Sequence, residues 1–215
     1  MRRTVLVLDL GSGNLRSVVK AVEAADHNVQ AIVSNKVQAI EKAERIIMPG
    51  QGAFGACATA LEPLKAALNQ FVLQERKPLL GICVGMQLFA DAGVEYGQHQ
   101  GLGWIPGQVK GLDQQDKNLK IPHMGWNNLQ FHNFHPIFEG LEENEHVYFA
   151  HSYHFIHEDH NSVLATCDYS GTVVAAIGKD NIVGLQFHPE KSQKAGLRIL
   201  ENFLNWLPLR PEEAI

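Results

Sequence analysis

Residues 78–91 read Pro78-Leu79-Leu80-Gly81-Ile82-Cys83-Val84-Gly85-Met86-Gln87-Leu88-Phe89-Ala90-Asp91. The stretch 78–82 is short and apolar, as in a strand buried on both faces. From Val84 the pattern predicts the start of a helix over 84–91. Between them stands a cysteine with a glycine two positions away on each side, the arrangement of a nucleophile elbow with Cys where Ser is usual. A nucleophile on so sharp a strand-to-helix turn needs a strained backbone, and neighbours without Cβ relieve the crowding. The N-terminus of the following helix offers N–H groups and the positive end of a dipole, which favour a thiolate and can hold an oxyanion. The competing reading is a small cysteine packed at a strand end.

The pattern around this stretch is consistent with it. A continuous apolar run at 4–10 predicts a buried strand, 11–14 a turn and 15–25 a helix. A second strand is expected at 29–33 and a third at 45–48, followed by a glycine-rich loop at 49–55. A helix from about 56 to 75 should be kinked or split by Pro63. This βαβα order predicts an α/β fold with an open, mainly parallel central sheet flanked by helices. After residue 100 the pattern changes. Short β-type segments near 107–112, 127–131, 147–149, 162–166, 172–177 and 182–187 predict additional antiparallel strands, among them a hairpin around Lys179-Asp180-Asn181. A closing helix is expected over 192–206. The length of 215 residues suits a single domain.

Two more strand ends carry candidate chemistry. Pro49-Gly50-Gln51-Gly52 follows the third strand. Its glycines let backbone N–H groups approach a ligand, and beside a nucleophile the loop could complete an oxyanion hole with the N–H of Val84. Taken alone it is better read as an ordinary Pro-Gly turn. His188-Pro189-Glu190 follows the run 182–187. Pro189 biases His188 to extended backbone, where residues i and i+2 point the same way. A carboxylate beside an imidazole fixes its tautomer, the base-and-orienter half of a catalytic triad. A surface His and Glu at a strand end is the plainer reading. All three signals fall at the ends of expected strands, where open α/β sheets bind ligands.

Composition narrows the classes. A formal net charge of −5 without any Lys/Arg run argues against a nucleic-acid surface. Nothing approaches the roughly 20 apolar residues of a membrane span, and the short apolar run after Arg3 is broken by Asp9, unlike a signal peptide. Three cysteines, Cys57, Cys83 and Cys167, do not suggest a disulfide framework and fit a reducing cytoplasm.

With these motifs in this order, nearly the whole chain resembles the class I glutamine amidotransferases. That resemblance implies Cys83 as nucleophile, His188 as base and Glu190 as its orienting group, with Gly50, Gln51, Gly52 and Val84 forming the oxyanion hole. It implies Gln87, Glu95, His151, Ser152 and Tyr153 as the glutamine-binding residues, and no cofactor. Within the family, Asp9-Leu10-Gly11-Ser12-Gly13-Asn14-Leu15, Pro122-His123-Met124-Gly125-Trp126-Asn127 and His188-Pro189-Glu190-Lys191-Ser192 are similar to the glutaminase subunits of imidazole glycerol phosphate synthases, in histidine biosynthesis. The implied partner is a cyclase subunit with a (β/α)8 barrel. Asn14, Trp126, Tyr148 and Lys191 are its implied contact residues, with core packing as the alternative for Trp126 and Tyr148. The sequence departs from the family pattern at Val84, where Leu is usual, and at Gln51, where Val is common.

Other readings carry less. Gly11-Ser12-Gly13 suggests a dinucleotide loop, but Arg16 stands where a third glycine is required. His151, His154, His157 and His160 recur every third residue, a spacing that alternates faces in a strand, so no metal site is expected. A stand-alone cysteine hydrolase of the same fold, and a non-catalytic binding module on this scaffold, remain the readings from other classes. The complete triad speaks against the latter.

Overall fold

The computed structural model describes residues 3–113 and 119–208. The N-terminal half alternates β1 (Arg3–Leu8), α1 (Leu15–Ala25), β2 (Val29–Ser34), α2 (Val37–Lys42) and β3 (Ile46–Gly50). The short α2 was not evident from the sequence. The expected long helix is split: α3 (Phe54–Leu61) gives way to a 3-10 turn at Glu62–Leu64, then α4 (Lys65–Asn69) and a π turn at Gln70–Gln74. Pro63 lies in the 3-10 turn, where its missing N–H interrupts the helical ladder.

Next come β4 (Leu79–Cys83) and α5 (Val84–Gln87). The helix expected over 84–91 is thus a single turn. The carbonyls of Leu88, Phe89, Ala90 and Asp91 accept instead from the N–H groups of Leu102, Trp104, Gly103 and Gly101, at 2.8–3.0 Å. The returning segment takes the acceptors that a continuing helix would use.

The second half contains β5 (Ala92–Gly93), β6 (His99–Gln100), β7 (Gly107–Gly111), β8 (His123–Asn128), β9 (Gln130–Phe131), β10 (His146–His151), β11 (Tyr153–His157), β12 (Val163–Asp168), β13 (Thr172–Lys179) and β14 (Ile182–Leu185), and closes with α6 (Gln193–Asn205). The strand expected at 127–131 is two strands, and it begins earlier, at His123. β11, one residue after β10, was not anticipated.

The main sheet runs β2-β1-β3-β4-β14-β13-β12-β9. The pairs from β2 through β14 are parallel, and those from β14 to β9 antiparallel. All residues of β3, β4 and β14 are buried, which explains their uninterrupted apolar sequence. β8 with β10, and β11-β7-β5-β6, form two smaller sheets. The expected hairpin is present: β13 pairs with β14 through Lys179 and Ile182, with Asp180 in the left-handed region at φ 53°.

This order positions the site. Neighbouring parallel strands end on the same edge, with Gly50 opposite Cys83 and Ile82 opposite Leu185. The glycine-rich loop, the elbow and the His188 segment therefore leave the sheet side by side. The approach is closest at Gly85, where an added Cβ would lie 1.8 Å from the Met48 carbonyl oxygen. Backbone faces backbone there, so no rotamer change can relieve the overlap. Gly85→Ala is expected to lower the urea-unfolding midpoint, at a cost of about 1–3 kcal/mol or more. An unchanged midpoint would contradict this packing.

Candidate active site

Cys83 closes β4 at φ 55°, ψ −113°, the left-handed backbone of a strained turn, and is 4% exposed. It opens onto a cavity of about 520 Å³ lined also by Gln51, Gly52, Val84, Gln87, Glu95, His151, Ser152, Tyr153, His188 and Lys191. Of the residues singled out in the sequence, Gly50, Glu190, Asn14, Trp126 and Tyr148 do not line it.

His188 Nδ1 donates to Glu190 Oε1 at 2.8 Å, and both side chains are almost wholly buried. His188 itself keeps the extended backbone expected before Pro189, at φ −101° and ψ 97°, but the residues that follow do not. Pro189–Lys191 is a 3-10 turn that folds Glu190 back beneath the ring. The His188 backbone is clamped from β10: its N–H donates to Tyr148 O (2.9 Å), the Tyr148 N–H donates to Ser192 Oγ (2.9 Å), and Ser192 Oγ donates to His188 O (2.7 Å). Burial works against protonation of His188. Hydrogen bonds to Cys83 and Glu190, with the charges of both, outweigh it and raise the imidazole to about 9. Glu190 Oε2 is buried and has no hydrogen-bond partner among the described residues.

Around the cavity the other candidates are tied into the fold. Glu95 Oε2 accepts from the Phe54 N–H (2.7 Å) at the start of α3. Tyr153 O accepts from Gln87 Nε2 (2.9 Å) and from His151 Nδ1 (3.0 Å). The Gln51 carbonyl accepts from Cys57 Sγ (3.5 Å), and Cys57 in turn meets Ser12 Oγ (3.3 Å). Cys57 is thus buried beneath the loop and bonded to it.

On the surface, Tyr148 and Trp126 are cross-strand partners in edge contact (6.0 Å), and Lys191 Nζ stands 5.6 Å from the Tyr148 ring. Trp126 is 47% exposed and is not core. Met124, on the same face of β8, is 65% exposed. Asn14 has a structural task, its Oδ1 capping α1 at the Ser17 N–H (3.3 Å).

Two residues escaped the sequence reading. Gln186 is wholly buried, and its Nε2 lies 3.7 Å from Cys83 Sγ. A polar residue in an apolar run, two positions before His188, is the one signal that could have found it. His123 is buried between Phe149 and Tyr169 and meets His151 at 3.1 Å. His157 and His160 meet at 3.0 Å, but no group of three or more His, Cys, Asp or Glu suited to a metal occurs among the described residues.

The sequence profile of the family described as glutamine amidotransferase class-I matches residues 6–206. The chain belongs to the class I glutamine amidotransferases. This amidotransferase is 50% identical to imidazole glycerol phosphate synthase subunit HisH of Rhodospirillum rubrum, over 95% of this chain and 99% of that protein. It is 47% identical to the same-named subunit of Zymomonas mobilis, over 95% and 97%. Among solved structures, one titled glutamine amidotransferase superposes with a TM-score of 0.71 at 20% identity, covering 94% of this chain and 97% of that one. A glutamine amidotransferase from Thermotoga maritima gives 0.62 at 16%, covering 95% and 84%. Both share the fold.

Burial holds the imidazoles of His123 and His135 down at about 4 and that of His151 at about 3. Below pH 6.5 the unfolded chain takes up protons at these positions that the folded amidotransferase refuses, so stability falls with acidification. His188 acts in the opposite window: its raised value stabilises the fold below 6.5, and that contribution is lost as pH rises through about 9. Thermal melting should therefore be highest near pH 6.5–7 and lower at pH 5. A melting temperature that stays constant or rises from pH 7 to pH 5 would contradict this assignment.

Proposed function

We propose that this chain is the glutaminase subunit of an imidazole glycerol phosphate synthase, working in the cytoplasm with a (β/α)8-barrel cyclase as partner. The observation that carries the proposal is the 2.8 Å His188–Glu190 pair, with His188 and Cys83 lining one cavity, in a chain half identical to proteins named as that subunit.

The chemistry follows from the geometry. Glu190 accepts from Nδ1, so His188 has only Nε2 with which to act on Cys83 and the substrate. The Cys83 thiolate attacks the side-chain amide carbon of glutamine. The oxyanion formed is held by N–H groups of Val84 and of the loop Gly50-Gln51-Gly52. The Gln51 carbonyl is turned toward Cys57, so in a trans peptide the Gly52 N–H points the other way. The C–N bond then breaks, His188 gives its proton to the departing ammonia, and a thioester remains. Water activated by His188 adds to the thioester, releasing glutamate and restoring the thiolate. Glutamine and water enter, and glutamate and ammonia leave. Gln87, Glu95, His151, Ser152 and Tyr153 hold the substrate.

The exposed Met124 and Trp126, with Lys191 and the half-buried Tyr148, make an apolar and basic patch beside the cavity mouth, which Met124 and Lys191 also line. This supports docking of the cyclase over the cavity, with ammonia passing directly between subunits. Asn14 is the weakest of the contact candidates, since its cap accounts for it.

In the assembled complex, Cys83→Ala should abolish synthesis of imidazole glycerol phosphate from glutamine while sparing synthesis from added ammonium salt. Loss of both would contradict the role. Glutamate release should be low for the chain alone and strongly stimulated by the cyclase with its nucleotide ligand. High, unstimulated release would move the chain to a stand-alone hydrolase.

A further inference from the structure

Gln186 leaves β14 with its side chain wholly buried, its backbone N–H fixed on Ala175 O at 2.8 Å. Its carboxamide reaches two groups: Nε2 is 3.7 Å from Cys83 Sγ, and Oε1 is 3.0 Å from Gln87 Nε2. The orientation of a carboxamide is normally ambiguous, because its nitrogen and oxygen have the same shape. Here the network decides it. Tyr153 O can only accept, so the Gln87 group facing it at 2.9 Å must be the nitrogen. That same nitrogen gives its second hydrogen to Gln186, so the atom it meets there must be an oxygen. The opposite end of Gln186, facing the sulfur, is then the NH2.

We propose that the Gln186 carboxamide is a catalytic hydrogen-bond donor to Cys83 that favours its thiolate form and fixes the direction of the sulfur. The inference rests on the reading of Cys83 as nucleophile. A donor to the charged form of an acid favours ionisation, and a bond to thiolate is stronger than one to neutral thiol. Unlike His188, a carboxamide neither gains nor loses a proton during turnover. The network also spends both hydrogens of the Gln87 amide within the protein, so Gln87 can offer glutamine only its carbonyl oxygen.

The test is the pH dependence of Cys83 alkylation by iodoacetamide in the full chain, read by mass spectrometry on the peptide containing Cys83. Gln186→Met, nearly isosteric, and Gln186→Leu both remove the donor, and thermal melting of each reports whether it is folded. In a folded variant the midpoint should move upward by about 0.5–1 pH unit, so alkylation below it slows about three- to tenfold while the high-pH plateau is kept. A midpoint equal to wild type in either folded variant overturns the inference. Because alkylation needs neither glutamine nor the partner, that result would leave the Cys83→Ala test of the nucleophile intact.

Discussion

The contact between Gly85 and the Met48 carbonyl is the constraint on which the site depends. It leaves no room for a side chain, so the turn after Cys83 and the end of β3 must share one fixed arrangement. In-register pairing of Gly50 with Cys83 extends that arrangement along both strands. The strained Cys83 backbone, at φ 55°, is held by burial on every side of β4. Strain of this kind persists only where its surroundings over-determine it, and two buried parallel strands provide that.

The antiparallel half brings the remaining groups to the same edge. β14 runs parallel to β4 only because the hairpin at Asp180 reverses β13 beside it, and so Gln186 and His188 arrive next to the sulfur. The side chain of His188 is set by Glu190, and its backbone by the Tyr148–Ser192 clamp. The clamp runs through β10, whose pairing with β8 presents Trp126 at the surface. His188 and the exposed Trp126 thus belong to one hydrogen-bonded framework.

Much of this was legible in the sequence. Strands buried on both faces have no polar phase, so 45–48, 78–82 and 182–187 read as plain apolar runs. Their ends are marked by residues with special backbone needs: Gly50, Gly85 and Pro189. The one-turn α5 was not legible, because the acceptors that stop the helix are taken by residues 101–104, a tertiary event. β11 was obscured by its closeness to β10, separated only by Ser152. His188 keeps the extended backbone expected before Pro189, and the turn at Pro189–Lys191, which the tripeptide alone did not reveal, still leaves Glu190 against its ring. Gln186 was overlooked because a single Gln carries no motif. Its meaning comes from Gln87 and Tyr153, which are distant in sequence.

The proposed mechanism requires the sulfur of Cys83 to attack the glutamine side-chain carbonyl in this cavity. Incubation with a diazo-ketone analogue of glutamine, followed by peptide mass analysis, tests it most directly. One label per chain is expected, on Cys83, blocked by excess glutamine, with Cys57 and Cys167, which do not line the cavity, unlabelled. Labelling of Cys57 or Cys167 with Cys83 untouched, or labelling of Cys83 that glutamine does not prevent, would contradict it.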